Sequence, residues 1–188
     1  MSGTATRRLV LGAALAATAT PALAEFTLSS PDVKSGSPMA LAQVLNALGC
    51  QGRNISPALS WSGEPAATQS FAVTMVDSDA RGGAGWWHWS VFNLPRGVHG
   101  LPAGAGSEGS AGLPPGAVQG RNDFGSAFYG GPCPPPGEHA HHYEITVYAL
   151  GIPSVALAAG TPDAQVAARL AASALATAKI VGRYERVK

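Results

Sequence analysis

Two carboxylates and two imidazoles carry the chemistry open to this chain. Asp77-Ser78-Asp79 follows the apolar stretch Ser70–Val76, His88 sits within Trp86-Trp87-His88-Trp89, and His141 stands in His139-Ala140-His141-His142-Tyr143. An aspartate that accepts the N–H of a histidine fixes its tautomer and leaves the other ring nitrogen to face a ligand; a protonated ring adds positive charge. Such a set suits a small anion, and a phosphate group has acceptors to match. Backbone around Gly130 and Gly131 can approach closely and donate further hydrogen bonds. The same residue types describe two other kinds of site. His139 and His141, two apart, would share a strand face, and with His88, Asp77 and Asp79 nearby they are a candidate zinc or copper set. Paired acids with histidines also serve hydrolases, but a nucleophile in a recognisable setting is missing. Ser56, Ser60 and Ser78 lie in no G-x-S-x-G elbow, and Cys133 is flanked by prolines. The missing nucleophile points to a non-enzymatic site, and in an extended strand His142 would point away from the metal set, so no metal and no cofactor is expected.

The elements that must position these groups are short strands. The 24 glycines and 15 prolines punctuate the chain at close intervals, and few segments sustain a helical repeat. Ser70–Val76, Trp89–Leu94 and Tyr143–Leu150 are rich in strand formers, with alternation suggesting one buried and one wetter face. If the extension persists past Val76, Asp77 and Asp79 point to one side of the sheet. A turn at Gly82–Gly85 brings His88 back toward Asp77, and the stiff rim Gly130–Gly137 leads into the strand that carries His141. Between Pro95 and Gly120 lies a long Gly/Ala/Pro/Ser tract, after which Arg121-Asn122-Asp123 anchors its own loop. Met39–Leu48 has the composition of a helix but is interrupted and stays unassigned. One helix is expected from Thr161-Pro162-Asp163 through Val166, Leu170 and Ala174 toward Thr177, followed by a closing strand over Ala178–Arg186. Trp61, Trp86, Trp87 and Trp89 read chiefly as packing residues, with one of the Trp86/Trp87 pair, taken as Trp87, on the pocket wall.

Residues 1–24 read as a cleaved signal peptide. Arg7-Arg8 precedes an apolar run from Leu9 to Ala19 and the small-residue site Ala22-Leu23-Ala24, and the arginine pair resembles a twin-arginine export signal. The run is too short to span a bilayer, so no transmembrane segment is expected. Cleavage removes two of the twelve basic residues and none of the eleven acidic ones, leaving a net charge of −1, which gives no reason to expect nucleic acid as a partner. Residues 25–188 then form a single domain, periplasmic or secreted. Cys50 and Cys133, an even pair bound for an oxidising compartment, read as a disulfide, with two buried thiols as the alternative.

Four motifs in order resemble the phosphatidylethanolamine-binding (Raf kinase inhibitor-like) family, in its bacterial YbhB/YbcL branch. They are Asn54-Ile55-Ser56-Pro57-Ala58-Leu59-Ser60-Trp61, then Asp77-Ser78-Asp79-Ala80, then Gly85-Trp86-Trp87-His88-Trp89 with Asn93-Leu94-Pro95, and Gly130–Gly137 leading to His141-His142-Tyr143. The resemblance implies a mainly β fold, a Greek-key pair of antiparallel sheets with a C-terminal helix, and a small anion pocket at one end of the larger sheet. It assigns the pocket to Asp77, Asp79, His88, Pro135, His141 and Tyr143. It also implies phosphate, acetate-like anions or phospholipid head groups as ligands, and in some members inhibition of a protease or kinase. Two departures stand out. The family's D-P-D-A-P is here Asp77-Ser78-Asp79-Ala80-Arg81, which predicts a looser turn, and its His-Arg-Tyr is here His141-His142-Tyr143.

Overall fold

The computed structural model describes residues 25–109 and 111–187; the expected signal peptide lies outside the described residues. Two antiparallel sheets make up the mainly β fold. The smaller contains β1 (Thr27–Ser29), β2 (Leu59–Ser62) and β5 (Gly100–Leu101) in the order β1-β2-β5. The larger contains β3 (Ser70–Asp77), β4 (Trp86–Pro95), β6 (Val118–Gln119), β7 (His141–Leu150) and β8 (Ala174–Tyr184) in the order β6-β4-β3-β7-β8.

Side-chain alternation divides the larger sheet into two faces. Phe71, Val73 and Met75 of β3, Trp89 and Val91 of β4, and Tyr143, Ile145 and Val147 of β7 join Leu28 and Trp61 of the smaller sheet in the main core. Ala72, Phe92 and Leu150 point to the other face, where Val166 and Leu170 of the helix α1 (Asp163–Ala171) cover them. The central strand β3 is buried on both faces, in keeping with the run Phe71–Val76, in which Thr74 alone is polar.

The three expected strands are present, each longer at the end that matters. β3 reaches Asp77, β4 begins at Trp86, and β7 begins at His141. The extension does not persist beyond Asp77: Asp79 has right-handed helical backbone angles and opens a 3₁₀ turn over Ala80–Gly83. The helix stops at Ala171 instead of running on to Thr177, and the closing strand begins at Ala174. Ala176 and Thr177 pair with Ala149 and Tyr148, so an alanine-rich stretch with little strand propensity is held extended by its neighbour. Met39–Leu48 forms turns, with Leu45 and Val44 carbonyls accepting the Gly52 and Asn54 N–H groups. A Cys50–Cys133 disulfide ties this segment to the proline-rich rim.

Candidate functional site

One end of the larger sheet opens into a cavity of about 310 Å³, lined by Asp77, Ala80, Arg81, Trp86, His88, Phe124, Cys133, Pro134, Pro135, Glu138, His141 and Leu48. Its position follows from register. Asp77 ends β3 opposite Trp86, the first residue of β4, on one side and Tyr143, the third residue of β7, on the other, so its carboxylate emerges near the start of both neighbouring strands. Alternation along β7 turns His141, with Tyr143 and Ile145, to the buried face and His142 to the opposite one. His88 arrives by a different route. Met75 pairs with Trp89 and Val76 with Trp87, which leaves His88 as the unpaired residue of a β-bulge. Bulges re-aim side chains in this way. The ring lies edge-on to Tyr143 and to Phe124, each with centroids 5.2 Å away.

The two histidines have opposite states. His141 is 2% exposed; its Nδ1 lies 2.7 Å from Asp77 Oδ2 and its Nε2 2.9 Å from Glu138 Oε2. Carboxylate oxygens accept, so both ring nitrogens donate and the ring is an imidazolium. Burial pushes it toward neutrality, but the hydrogen bonds to Asp77 and Glu138 prevail and its pKa is raised. His88 donates Nδ1–H to the Gly130 carbonyl at 2.6 Å. Burial is the dominant influence there and lowers its pKa, so the ring is neutral and its Nε2 edge carries a lone pair. The cavity therefore holds one charged imidazole, both of whose N–H groups are engaged, and one neutral imidazole.

Asp77 is fully committed. Oδ1 accepts the Asp79 and Ala80 N–H groups at 3.0 and 3.2 Å while Oδ2 holds His141. Asp79 turns away from the cavity. Its Oδ2 accepts the backbone N–H of His142 at 2.6 Å and the ring Nδ1 at 2.9 Å, and Oδ1 lies 3.6 Å from Nε2 of the exposed His139. Burial alone would raise its pKa, but these bonds outweigh that and lower it. The Asp79–His142 pair thus clamps the start of β7 to the 3₁₀ turn. Among the described residues, no three His, Cys, Asp or Glu side chains are grouped so as to hold a metal ion.

The aromatic wall is Trp86, not Trp87. Trp86 packs against Phe124 with ring centroids 5.2 Å apart, and the Arg81 guanidinium sits 4.2 Å above its ring while lying 3.8 Å from Asp123. Trp87 is not among the lining residues, and its backbone N–H bonds Asp123 Oδ2 at 2.9 Å. Tyr143 is buried beneath His88 and also off the lining; burial, then the Asp77 charge, raises its hydroxyl pKa. Pro135 lines the rim of the cavity. Contacts hold the turn where its prolines are missing. Arg81 has φ 54°, an angle proline cannot adopt, and the Asp77 carboxylate together with the Arg81–Trp86 stack secures the turn in their place.

Phe124 is presented by Asn122, whose buried amide accepts the Phe124 and Ser126 N–H groups at 3.0 and 2.9 Å and donates to the Phe128 carbonyl at 2.8 Å. Gly130 and Gly131 serve close approach and not ligand donation. A Cβ on Gly130 would meet the Phe124 ring at 2.7 Å, and one on Gly131 would meet the Gln43 carbonyl. Their N–H groups go to the His88 carbonyl at 3.0 Å and to Asn54 Oδ1 at 2.7 Å. Sequence reasoning missed Glu138, Phe124 and Leu48 as cavity residues. Only Glu138 had a signal, its spacing of three from His141.

Comparison with known proteins agrees with this architecture. Residues 29–185 match the model of the family described as phosphatidylethanolamine-binding protein. The chain is similar to YbcL of Escherichia coli K12, with 46% identity over 162 residues covering 86% of this chain and 88% of that protein. It is also similar to YbhB of the same organism, with 43% identity covering 84% and 98% of the two chains. A Mycobacterium tuberculosis protein named as a lipoprotein, LppC, is 34% identical over 170 residues, covering 90% of this chain and 77% of that one. Among solved structures, that of Escherichia coli YbcL, described as a member of the mammalian PEBP family, matches with a TM-score of 0.84 and 47% identity over 86% of this chain and 99% of that one.

Proposed function

Because this chain belongs to the phosphatidylethanolamine-binding protein family, we propose that it is an exported, non-enzymatic binding protein whose cavity takes a small anion of the phosphate or phospholipid head-group kind. The carrying observation is the buried imidazolium of His141, fixed from behind by Asp77, in a cavity whose other imidazole, His88, is neutral. A buried charged N–H donor is a strong anion partner. The neutral His88 refines the ligand. An acceptor nitrogen pairs with an oxygen that still carries a proton, so hydrogen phosphate or a protonated phosphomonoester gains a hydrogen bond there that a fully deprotonated oxyanion lacks. Export is supported by the Cys50–Cys133 disulfide and by likeness to a protein named as a lipoprotein. The non-enzymatic reading is supported by the Cys50–Cys133 bridge, which removes the thiol among the described wall residues as a nucleophile.

The test is calorimetric titration at neutral pH with inorganic phosphate and with sulfate, which differ there by one proton. Phosphate is expected to bind saturably and at least tenfold more tightly than sulfate. Equal affinity would remove the acceptor role of His88, and saturable binding of neither would overturn the anion site.

A second reading has its own observation. Leu48 is 71% exposed at the cavity mouth, with φ 54°, a costly conformation for a large apolar side chain. Beside Pro134 and Pro135 it gives the rim an apolar contact suited to a protein partner, a protease or kinase docking there as an inhibitor's target. Recovery from periplasmic extract of a stoichiometric enzyme whose activity falls on binding would favour this reading.

A further inference from the structure

The ligand-facing nitrogen of His141 is already occupied. Glu138, on the rim three residues before it, lays Oε2 2.9 Å from His141 Nε2. The Arg81 guanidinium and the Trp86 indole N–H also line the cavity, but this is the one imidazole N–H that an anion there can use, because Nδ1 is held by Asp77 and His88 presents its lone pair. Both cannot have it. With Asp77 and Glu138 lining the same space, an anion that enters beside an undisturbed Glu138 meets like charge at close range.

Glu138 is free to leave. Its side chain is 49% exposed, whereas that of His141 is 3% exposed, so the glutamate loses one hydrogen bond and regains water while the histidine stays fixed. The backbone need not follow: Pro136 bridges to Arg186 and the Gly137 N–H bonds the Arg186 carbonyl at 2.8 Å, and the Arg186 guanidinium in turn reaches the Gly49 carbonyl at 3.1 Å. Rotation of one side chain on an anchored rim opens the position.

Resting on the anion-site reading above, we propose that the Glu138 carboxylate is a built-in occupant of the anion position on His141, which an incoming anion displaces, so that this residue sets the cavity's affinity. The device raises the threshold for weak, abundant anions and admits a ligand whose remaining contacts repay the displacement.

The experiment titrates inorganic phosphate into the wild type, Glu138→Gln and Glu138→Ala by calorimetry, with thermal melts as a check on folding. A neutral amide oxygen still accepts from Nε2–H, but more weakly than a carboxylate, and alanine leaves the nitrogen open. Phosphate affinity is therefore expected to rise in the order wild type, Glu138→Gln, Glu138→Ala, by at least tenfold overall. Equal affinity in all three would overturn the displacement and leave the anion site standing. Weaker binding in Glu138→Ala would make Glu138 a ligand contact and likewise overturn it. No binding in any of the three would overturn both.

Discussion

His88 and His141, whose rings line one cavity, illustrate how little the residue type says about charge. His141 has carboxylates at both nitrogens and a raised pKa; His88 has a carbonyl at one nitrogen, and burial lowers its pKa. The sign of the pH dependence follows. In the proposed function the charged form of His141 binds the anion, so affinity would be full below its pKa and lost as pH rises through it, and because that pKa is raised the loss would fall above the ordinary histidine range near 6.5. His88 contributes no charge in that window. Acetate is a suitable probe, since it is a fixed monoanion from pH 6 upward. Its affinity is expected to hold through about pH 6.5 and to fall at higher pH; a flat profile, or a fall completed below pH 6, would contradict the assignment. At this scale the sequence was only partly legible. Asp77, His88 and His141 could be picked out by type, but Glu138 had only its spacing of three from His141 to mark it, because its role depends on a rim whose path is set by distant Arg186. Trp87 gave way to Trp86 because strand pairing, not composition, decides which of two adjacent aromatics faces the cavity.

Among the elements, strands β3 and β7 were readable because alternation and apolar content agree with burial, and the faces of His141 and His142 followed at once. The bulge that re-aims His88 left no such mark, and the αL conformation of Arg81 is the opposite of what the family's proline would impose. The helix start was legible and its end was not, since the sequence Ala171–Ala178 has no stop signal and β7 pulls it into the sheet. The first residue of α1 carries a separate prediction. Asp163 is buried; its Oδ1 accepts from Ser90 at 2.6 Å while Oδ2 has no hydrogen-bond partner, and burial pushes its pKa up to about 7. A carboxyl with a raised native pKa binds more protons folded than unfolded, so it lowers stability as pH rises from about 4 to about 7. Asp163→Asn removes that slope. Its stability relative to wild type is expected to grow across this window by on the order of 2 kcal/mol, tempered by the helix N-terminus, which favours the ionised form. Parallel denaturant curves at pH 4 to 8 check this, and a constant difference would refute it.

For the molecule as a whole, the larger sheet fixes Asp77, His88 and His141 from three adjacent strands, whereas the walls come from loops. Phe124 depends on Asn122, the turn on Asp77 and Arg81, and the rim on Arg186 and the Cys50–Cys133 disulfide. A rigid floor with separately anchored walls suits selective binding. The claim on which the account turns is the state of the two imidazoles and their response to an anion. It is tested most directly by nuclear magnetic resonance of the ring nitrogens at pH 7 during titration with inorganic phosphate. The expected spectrum has His88 neutral with its proton on Nδ1, His141 protonated on both nitrogens, and both Nε2 signals shifting together and saturably. A neutral His141, or ring signals unmoved by phosphate, would contradict it.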